Sequence, residues 1–330
     1  MKMKFRVGII GCGVICENHI IPLIQNSNTE LVAVCDIVKD KALNIANKFE
    51  CNAYFDYKEM LKSEKLDSVH ICLPHYLHSE VAIYAMQNGV DVLCEKPMDI
   101  SYKNACLMKK ISIDTGKNLG IIFQNRYSTG PKFIKEKFKN GDLGRIVSAS
   151  AELMWYRDQE YYDSAYWRGK WATEGGGVTI NQAVHTLDML RYLIDCEVEE
   201  VKATLSHKGK TNVEVEDTCE GTILFKNDVK AVFFFSNNFV GFQPPRIVLN
   251  CENATVEIKG PDAAITYSNG ITESIYHNDE VVQIGKQCYG TGHFAQINEF
   301  YSSDRAEKAK AMLEEALKTQ EILEMIYKCK

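Results

Sequence analysis

The chain of 330 residues has no apolar run long enough to cross a bilayer, no CxxC pair and no GxxxxGK[ST] motif. The first absence excludes a helical membrane span, and the last excludes a P-loop. Its formal charge of -6 leaves no cationic footprint for nucleic acid. Internal repeats, low-complexity segments and linkers are also missing. The twelve cysteines stand singly in apolar stretches such as Val34-Cys35 and Ile71-Cys72, which reads as reduced thiols serving as small core hydrophobes. Met1 to Arg6 lead straight into a strand and not into a signal peptide. The expectation is a cytoplasmic protein whose partner is a small molecule.

What is present is an ordinary globular composition, 45% hydrophobic and 25% charged, on a chain long enough for two domains. Up to about residue 125, β-rich runs (FRVGII, LVAVCD, DSVHICL, VDVLCE, NLGIIF) alternate with helical periodicity. That alternation implies an α/β domain, a doubly wound parallel sheet with helices on both faces. From 126 to 330 a helix (Pro131 to Lys139) precedes a long series of strand-like runs, and a charged helix from Arg305 to Tyr327 closes the chain. The second domain should be α+β with a large, mostly antiparallel open sheet, the closing helix packing back on the first domain. AVFFFS lacks polar alternation, so both faces of that sheet should be covered, one by helices and one by a second subunit. A homodimer or homotetramer follows as an expectation. Asn269-Gly270 predicts a hairpin turn.

"GIIGCGVICENH", residues 8 to 19, carries a strand into a glycine turn and then a helix. In that context, with an acid ending the next strand, the pattern points to a dinucleotide-binding (Rossmann) turn. Gly11 permits the bend, Gly13 lets the backbone approach a pyrophosphate, and the amides of Val14 and Ile15 open a helix toward its charge. Cys16 stands where a third glycine is common, a small side chain that still allows close helix packing. Asp36 ends LVAVCD, where a carboxylate accepts from ribose hydroxyls and repels a 2′-phosphate, so NAD is favoured over NADP.

Ligands of open α/β sheets lie beyond the carboxyl ends of the strands. The residues there are Leu73, Pro74, His75 and His78, then Glu95 and Lys96, then Gln124. CLPHYLHSEVAIYAMQNGVDVLCEKPM, with GIIGCGVIC, FQNRY and LGRI, resembles the Gfo/Idh/MocA oxidoreductase family, and the likeness covers essentially the whole chain. The resemblance implies that Lys96 reaches the reacting hydroxyl and the nicotinamide, and that the bond before Pro97 is cis.

Residues 174 to 192, EGGGVTINQAVHTLDMLRY, read as a flexible glycine loop followed by a helix with Asn181, His185, Asp188 and Tyr192 on one stripe. The resemblance makes His185 the acid/base partner of Lys96. Asn181 replaces an acid of the family pattern, so a carboxylate tuning the histidine from that position is missing. The aromatic stretch WYRDQEYYDSAYWRGKW offers Tyr162, Trp167 and Arg168 as substrate contacts, since apolar sugar faces and hydroxyls suit aromatic walls with arginine donors. With EGGG and NQAVH it resembles the sugar and nucleotide-sugar dehydrogenase branch. YGTGHFAQINEFY is similar to the family's closing segment, and that resemblance implies that Tyr289 and His293 approach the substrate.

Rival chemistries find little support. His70, His75 and His78 lack the accompanying ligand spacing of a metal site, so none is expected. Tyr54 and Lys58 fit a YxxxK pattern but fall too early in the chain for a short-chain dehydrogenase. The expected activity is hydride transfer between a secondary ring hydroxyl, C3 by the branch likeness, and NAD. The alternatives are a redox-neutral, NAD-retaining glycoside-cleaving enzyme and a non-catalytic NAD- and sugar-sensing regulator.

Overall fold

The structure, a computed structural model, describes residues 4–277 and 292–330. The chain separates into two units, residues 4–124 with 292–317 and residues 125–277 with 318–330.

In the first unit the chain runs β1 (Phe5–Ile10), α1 (Cys16–Gln25), β2 (Thr29–Cys35), α2 (Lys39–Phe49), β3 (Asn52–Tyr54), α3 (Tyr57–Ser63), β4 (Ser68–Ile71), α4 (His78–Gln87), β5 (Asp91–Cys94), α5 (Tyr102–Thr115) and β6 (Leu119–Ile121). The six strands are parallel in the order β3-β2-β1-β4-β5-β6. Central strands β4 and β5 are buried at every position, which is why they read as apolar runs without alternation. The sheet reverses its winding between β1 and β4, where such folds open a crevice. One strand escaped the sequence reading: β3 has three residues, too few to show a period of two, and pairs only with β2.

The second unit contains α6 (Thr129–Lys139), β7 (Ile146–Met154), α7 (Gln159–Asp163), α8 (Val178–Asn181), α9 (Val184–Ile194), β8 (Val198–Ser206), β9 (Thr218–Phe225), β10 (Lys230–Ser236), β11 (Arg246–Cys251), β12 (Ala254–Lys259), β13 (Asp262–Tyr267) and β14 (Thr272–Ile275). Its eight strands lie in the order β14-β13-β12-β11-β7-β10-β9-β8, antiparallel except for the central β7–β10 pair. Helices α8 and α9 pack against β9, β10, β7 and β11. The uniformly apolar run in β10 conceals a real alternation: Ala231, Phe233 and Phe235 are buried, whereas Val232 is half exposed within this chain.

Helices α10 (Gly292–Phe300) and α11 (Arg305–Tyr327) end the chain. The expected division at 125/126 assigns both to the second domain. In the structure α10 packs on α1, residues through 317 group with the first unit, and only the end of α11 belongs to the second. The cause is apolar: Ile297, Phe300, Tyr301, Ala309 and Met312 complete the core around Ile9, Ile20 and Leu93.

Candidate active site

The first unit gathers its candidate residues at the carboxyl ends of β1, β2, β4, β5 and β6. Gly11 has φ +101°, and a Cβ there would fall 2.3 Å from the Cys72 carbonyl oxygen. The turn is therefore pressed against the chain leaving β4, and only glycine fits. Gly13 is different: a Cβ there would meet nothing within 4 Å. No packing within the protein requires that glycine, and its open space lies where a close-approaching phosphate needs it. Val14 is exposed, Ile15 is half-buried, and α1 begins at Cys16 without a side-chain cap, the Cys16 N–H donating to the Gly13 carbonyl at 3.1 Å. Cys16 is buried in the core, and burial pushes its thiol up to about 12, so it packs as a hydrophobe. Every described cysteine is a free thiol.

Asp36 accepts from the backbone N–H of Cys12 at 2.9 Å and of Val38 at 2.8 Å. Its carboxylate is thus oriented by the turn itself and stays half-buried at the end of β2. Leu73 and Pro74 are half-buried and His75 is buried. Gln124 is buried after β6, and its side-chain oxygen has no partner among the described residues. An open glycine, a helix start without a side-chain cap, an oriented carboxylate and an orphaned amide oxygen together fit a dinucleotide.

Two residues expected at the nucleotide turn their side chains inward instead. His78 is fully buried, with Nδ1 2.7 Å from the Pro97 carbonyl and Nε2 2.9 Å from that of Leu73. It ties the segment after β4 to the one after β5. Glu95 is buried and accepts on one oxygen from His19 Nε2 at 2.9 Å and His293 Nε2 at 3.0 Å. Its other oxygen accepts the Lys96 backbone N–H at 3.2 Å. Burial alone would raise the Glu95 carboxyl, but the two histidine hydrogen bonds outweigh it and hold it well below its ordinary value. Lys96 is half-buried, and the Lys96–Pro97 bond is cis. His293, expected to approach a substrate, is held in this buried cluster, and Tyr289 lies outside the described residues.

In the second unit, Asn181 ends α8 and His185 lies in the first turn of α9, with a break at Gln182 and Ala183 interrupting the stripe. Asp188 and Tyr192 belong to a different cluster. Asp188 is buried, pairs with Arg126 through both oxygens and accepts from Thr319 at 2.6 Å. Tyr192 lies under Arg126 and Lys135. The glycine loop is close-packed and not flexible: a Cβ on Gly177 would stand 1.8 Å from the Glu216 carbonyl oxygen. Glu216 also accepts from the amides of Gly177 and Thr179 and from Tyr327.

Sequence reasoning missed the acid behind Asn181. Glu174, 1% exposed, accepts from the Asn181 amide on one oxygen and from the Gly169 N–H at 2.5 Å on the other. Burial raises its carboxyl to about 7, only partly opposed by those bonds and by Arg168. The carboxylate that Asn181 seemed to remove thus stands one hydrogen bond further back. Its sequence signal was the E of EGGG. Tyr162, expected at the substrate, is buried, and the hydroxyl of its neighbour Tyr161 meets Asn181 at 3.3 Å and Gln182 at 2.8 Å. Arg168 stacks over Tyr161 at 4.2 Å and lies 5.5 Å from the centre of the half-buried Trp167 ring.

A doubly wound sheet with this phosphate turn, and a lysine just beyond β5, defines an oxidoreductase that works with a bound dinucleotide. Residues 5–123 match the description "Oxidoreductase family, NAD-binding Rossmann fold", and residues 132–257 match the GFO/IDH/MocA C-terminal domain. The chain belongs to the Gfo/Idh/MocA family of oxidoreductases, and NAD is its cofactor. Among similar proteins, D-glucoside 3-dehydrogenase of Escherichia coli (strain K12) is 30% identical over 67% of this chain and 67% of its own length. Glucose-6-phosphate 3-dehydrogenase of Bacillus subtilis (strain 168) is 28% identical over 68% of this chain, which spans 65% of that protein. The WlbA dehydrogenase of Bordetella pertussis, solved with NADH and UDP-GlcNAcA, matches with a TM-score of 0.83 and 25% identity, covering 99% of this chain and 96% of that one.

Proposed function

We propose that this protein transfers hydride between a secondary ring hydroxyl, at C3, of a sugar or nucleotide sugar and NAD. The observation that carries the reading is Lys96, placed directly beyond β5 of a sheet whose β1 turn is shaped for a dinucleotide. The similarity to two sugar 3-dehydrogenases supports the position, and the WlbA dehydrogenase extends the substrate class to nucleotide sugars. NAD supplies the hydride acceptor. In the oxidising direction His185 takes the hydroxyl proton, and Lys96 stabilises the oxygen as its negative charge develops. Asn181, Trp167 and Arg168 hold substrate hydroxyls and the ring face. The half-exposed apolar residues on the outer side of the large sheet support assembly into a homodimer or homotetramer.

The test is turnover with glucosides, glucose 6-phosphate and nucleotide sugars, each carrying deuterium at C3. Transfer of the label to the nicotinamide is expected, and turnover that leaves deuterium on the sugar overturns the C3 assignment. Nucleotide released on denaturing the purified protein separates the modes of use. Near-stoichiometric NAD with glycoside cleavage, and without added cofactor, would indicate the redox-neutral reaction.

A further inference from the structure

Five polar side chains run through the apolar core of the first unit in a continuous line. Ser68 Oγ lies 2.6 Å from Tyr301 Oη, and Tyr301 Oη lies 2.9 Å from His70 Nε2. His70 Nδ1 lies 2.9 Å from His19 Nδ1, and His19 Nε2 lies 2.9 Å from Glu95. All five residues are buried, His19, His70 and Ser68 completely. Such a line is costly to bury unless every member is bonded, and here each is.

The chemistry of the end group sets the direction of the line. A carboxylate only accepts, so His19 and His293 both carry their proton on Nε2. Burial lowers the pKa of His19 and drives that of His70 well down, so both rings are neutral. His19 Nδ1 is then bare and accepts from His70 Nδ1–H. His70 Nε2 is bare in turn and accepts from the Tyr301 hydroxyl, whose oxygen accepts from Ser68. Every donor points toward Glu95, and the second oxygen of Glu95 takes the Lys96 amide.

We propose that His19, His70 and Tyr301, with His293, are positioning residues for Lys96: their directed hydrogen bonds fix the Glu95 carboxylate, which fixes the backbone at Lys96. This rests on the catalytic reading of Lys96 but makes a claim that can be read without turnover. The groups facing Glu95 are His19 from α1, His293 from α10 and the Lys96 amide that follows β5. His70 and Tyr301 act through His19.

Side-chain nitrogen NMR of the histidine-labelled full-length protein tests the direction. His19 is expected as the Nε2–H tautomer and His70 as Nδ1–H, neither gaining a second proton between about pH 6 and 8, and His293 is expected to carry a proton on Nε2. A His70 Nε2–H tautomer or a charged His19 overturns the proposal. So does a stoichiometric zinc ion held by His19, Glu95 and His293, because both Nε2 atoms would then be bare. Kinetics test the consequence. Tyr301→Phe keeps the ring and removes the first ring-to-ring donor, and Glu95→Gln removes the carboxylate. Glu95→Gln is expected to lower kcat by about tenfold or more, and Tyr301→Phe by a smaller factor, with KM for NAD unchanged in both. Loss of thermal stability with unchanged kcat in a folded Tyr301→Phe protein would mean a purely structural role. Wild-type protein that shows the expected tautomers but no turnover on any sugar would count against the proposed function and leave the directed line standing.

Discussion

At the scale of single residues, Lys96 and Glu174 carry the sharpest expectations. Lys96→Met keeps the length of the side chain and removes its ammonium. Turnover should fall by about 10²-fold or more, the usual weight of a positioned proton-transfer group, while calorimetric NAD affinity is retained. An active Lys96→Met protein would remove the lysine from the mechanism. Glu174 bears on stability, since its folded carboxyl titrates at about 7 against an ordinary 4.5. Between those values the folded protein holds a proton that the unfolded chain has released, so this residue's contribution to stability falls as pH rises through the window and levels off above it. The drop amounts to about 3 kcal/mol by the linkage of one pKa unit to 1.36 kcal/mol. Denaturation midpoints measured from pH 5 to 8 should therefore decline less in Glu174→Gln than in the wild type. Identical slopes would show that Glu174 is ionised throughout.

At the scale of elements, two glycines of similar appearance in sequence should behave in opposite ways. Gly13→Ala places its methyl in open space, so thermal stability should hold while the Kd for NAD rises about tenfold or more, roughly 1.4 kcal/mol. Gly177→Ala drives a methyl into the Glu216 carbonyl, so the second unit should lose at least about 2 kcal/mol of stability. Differential scanning fluorimetry with and without NAD separates the two effects. The same comparison shows what an element's pattern can and cannot reveal. The strand–turn–helix context located the glycine turn between β1 and α1, and the Arg305–Tyr327 helix was legible to its ends. The glycine loop before α8 was misread as flexible, because the groups that crowd it, Glu216 and Tyr327, are distant in sequence.

At the scale of the whole molecule, the proposed homo-oligomer would form through the outer face of the large sheet. Val232 sits near the middle of that face, paired across the ladder with Thr222 and Ser150, and is 51% exposed within the chain. A charge there should not disturb the buried side of β10, where Ala231, Phe233 and Phe235 lie. Val232→Lys is expected to shift the protein toward monomer in light scattering while its circular dichroism is unchanged. A wild type that is already monomeric at micromolar concentration would refute assembly through this sheet.

The sequence by itself determined the parallel and antiparallel sheets, the glycine turn after β1, and the places of Asp36 at the end of β2 and Lys96 beyond β5. These depend on local period, turn chemistry and distance along the chain from a strand end, all of which a linear pattern preserves. Only the tertiary structure decided that Glu95 and His78 face inward, that Glu174 backs Asn181, and that α10 completes the first core. Those outcomes depend on which side chains meet across long stretches of chain. His19, His70, Glu95, His293 and Tyr301 come from five separate segments, and burial in a shared low-dielectric core makes each one's hydrogen bond set the next one's proton.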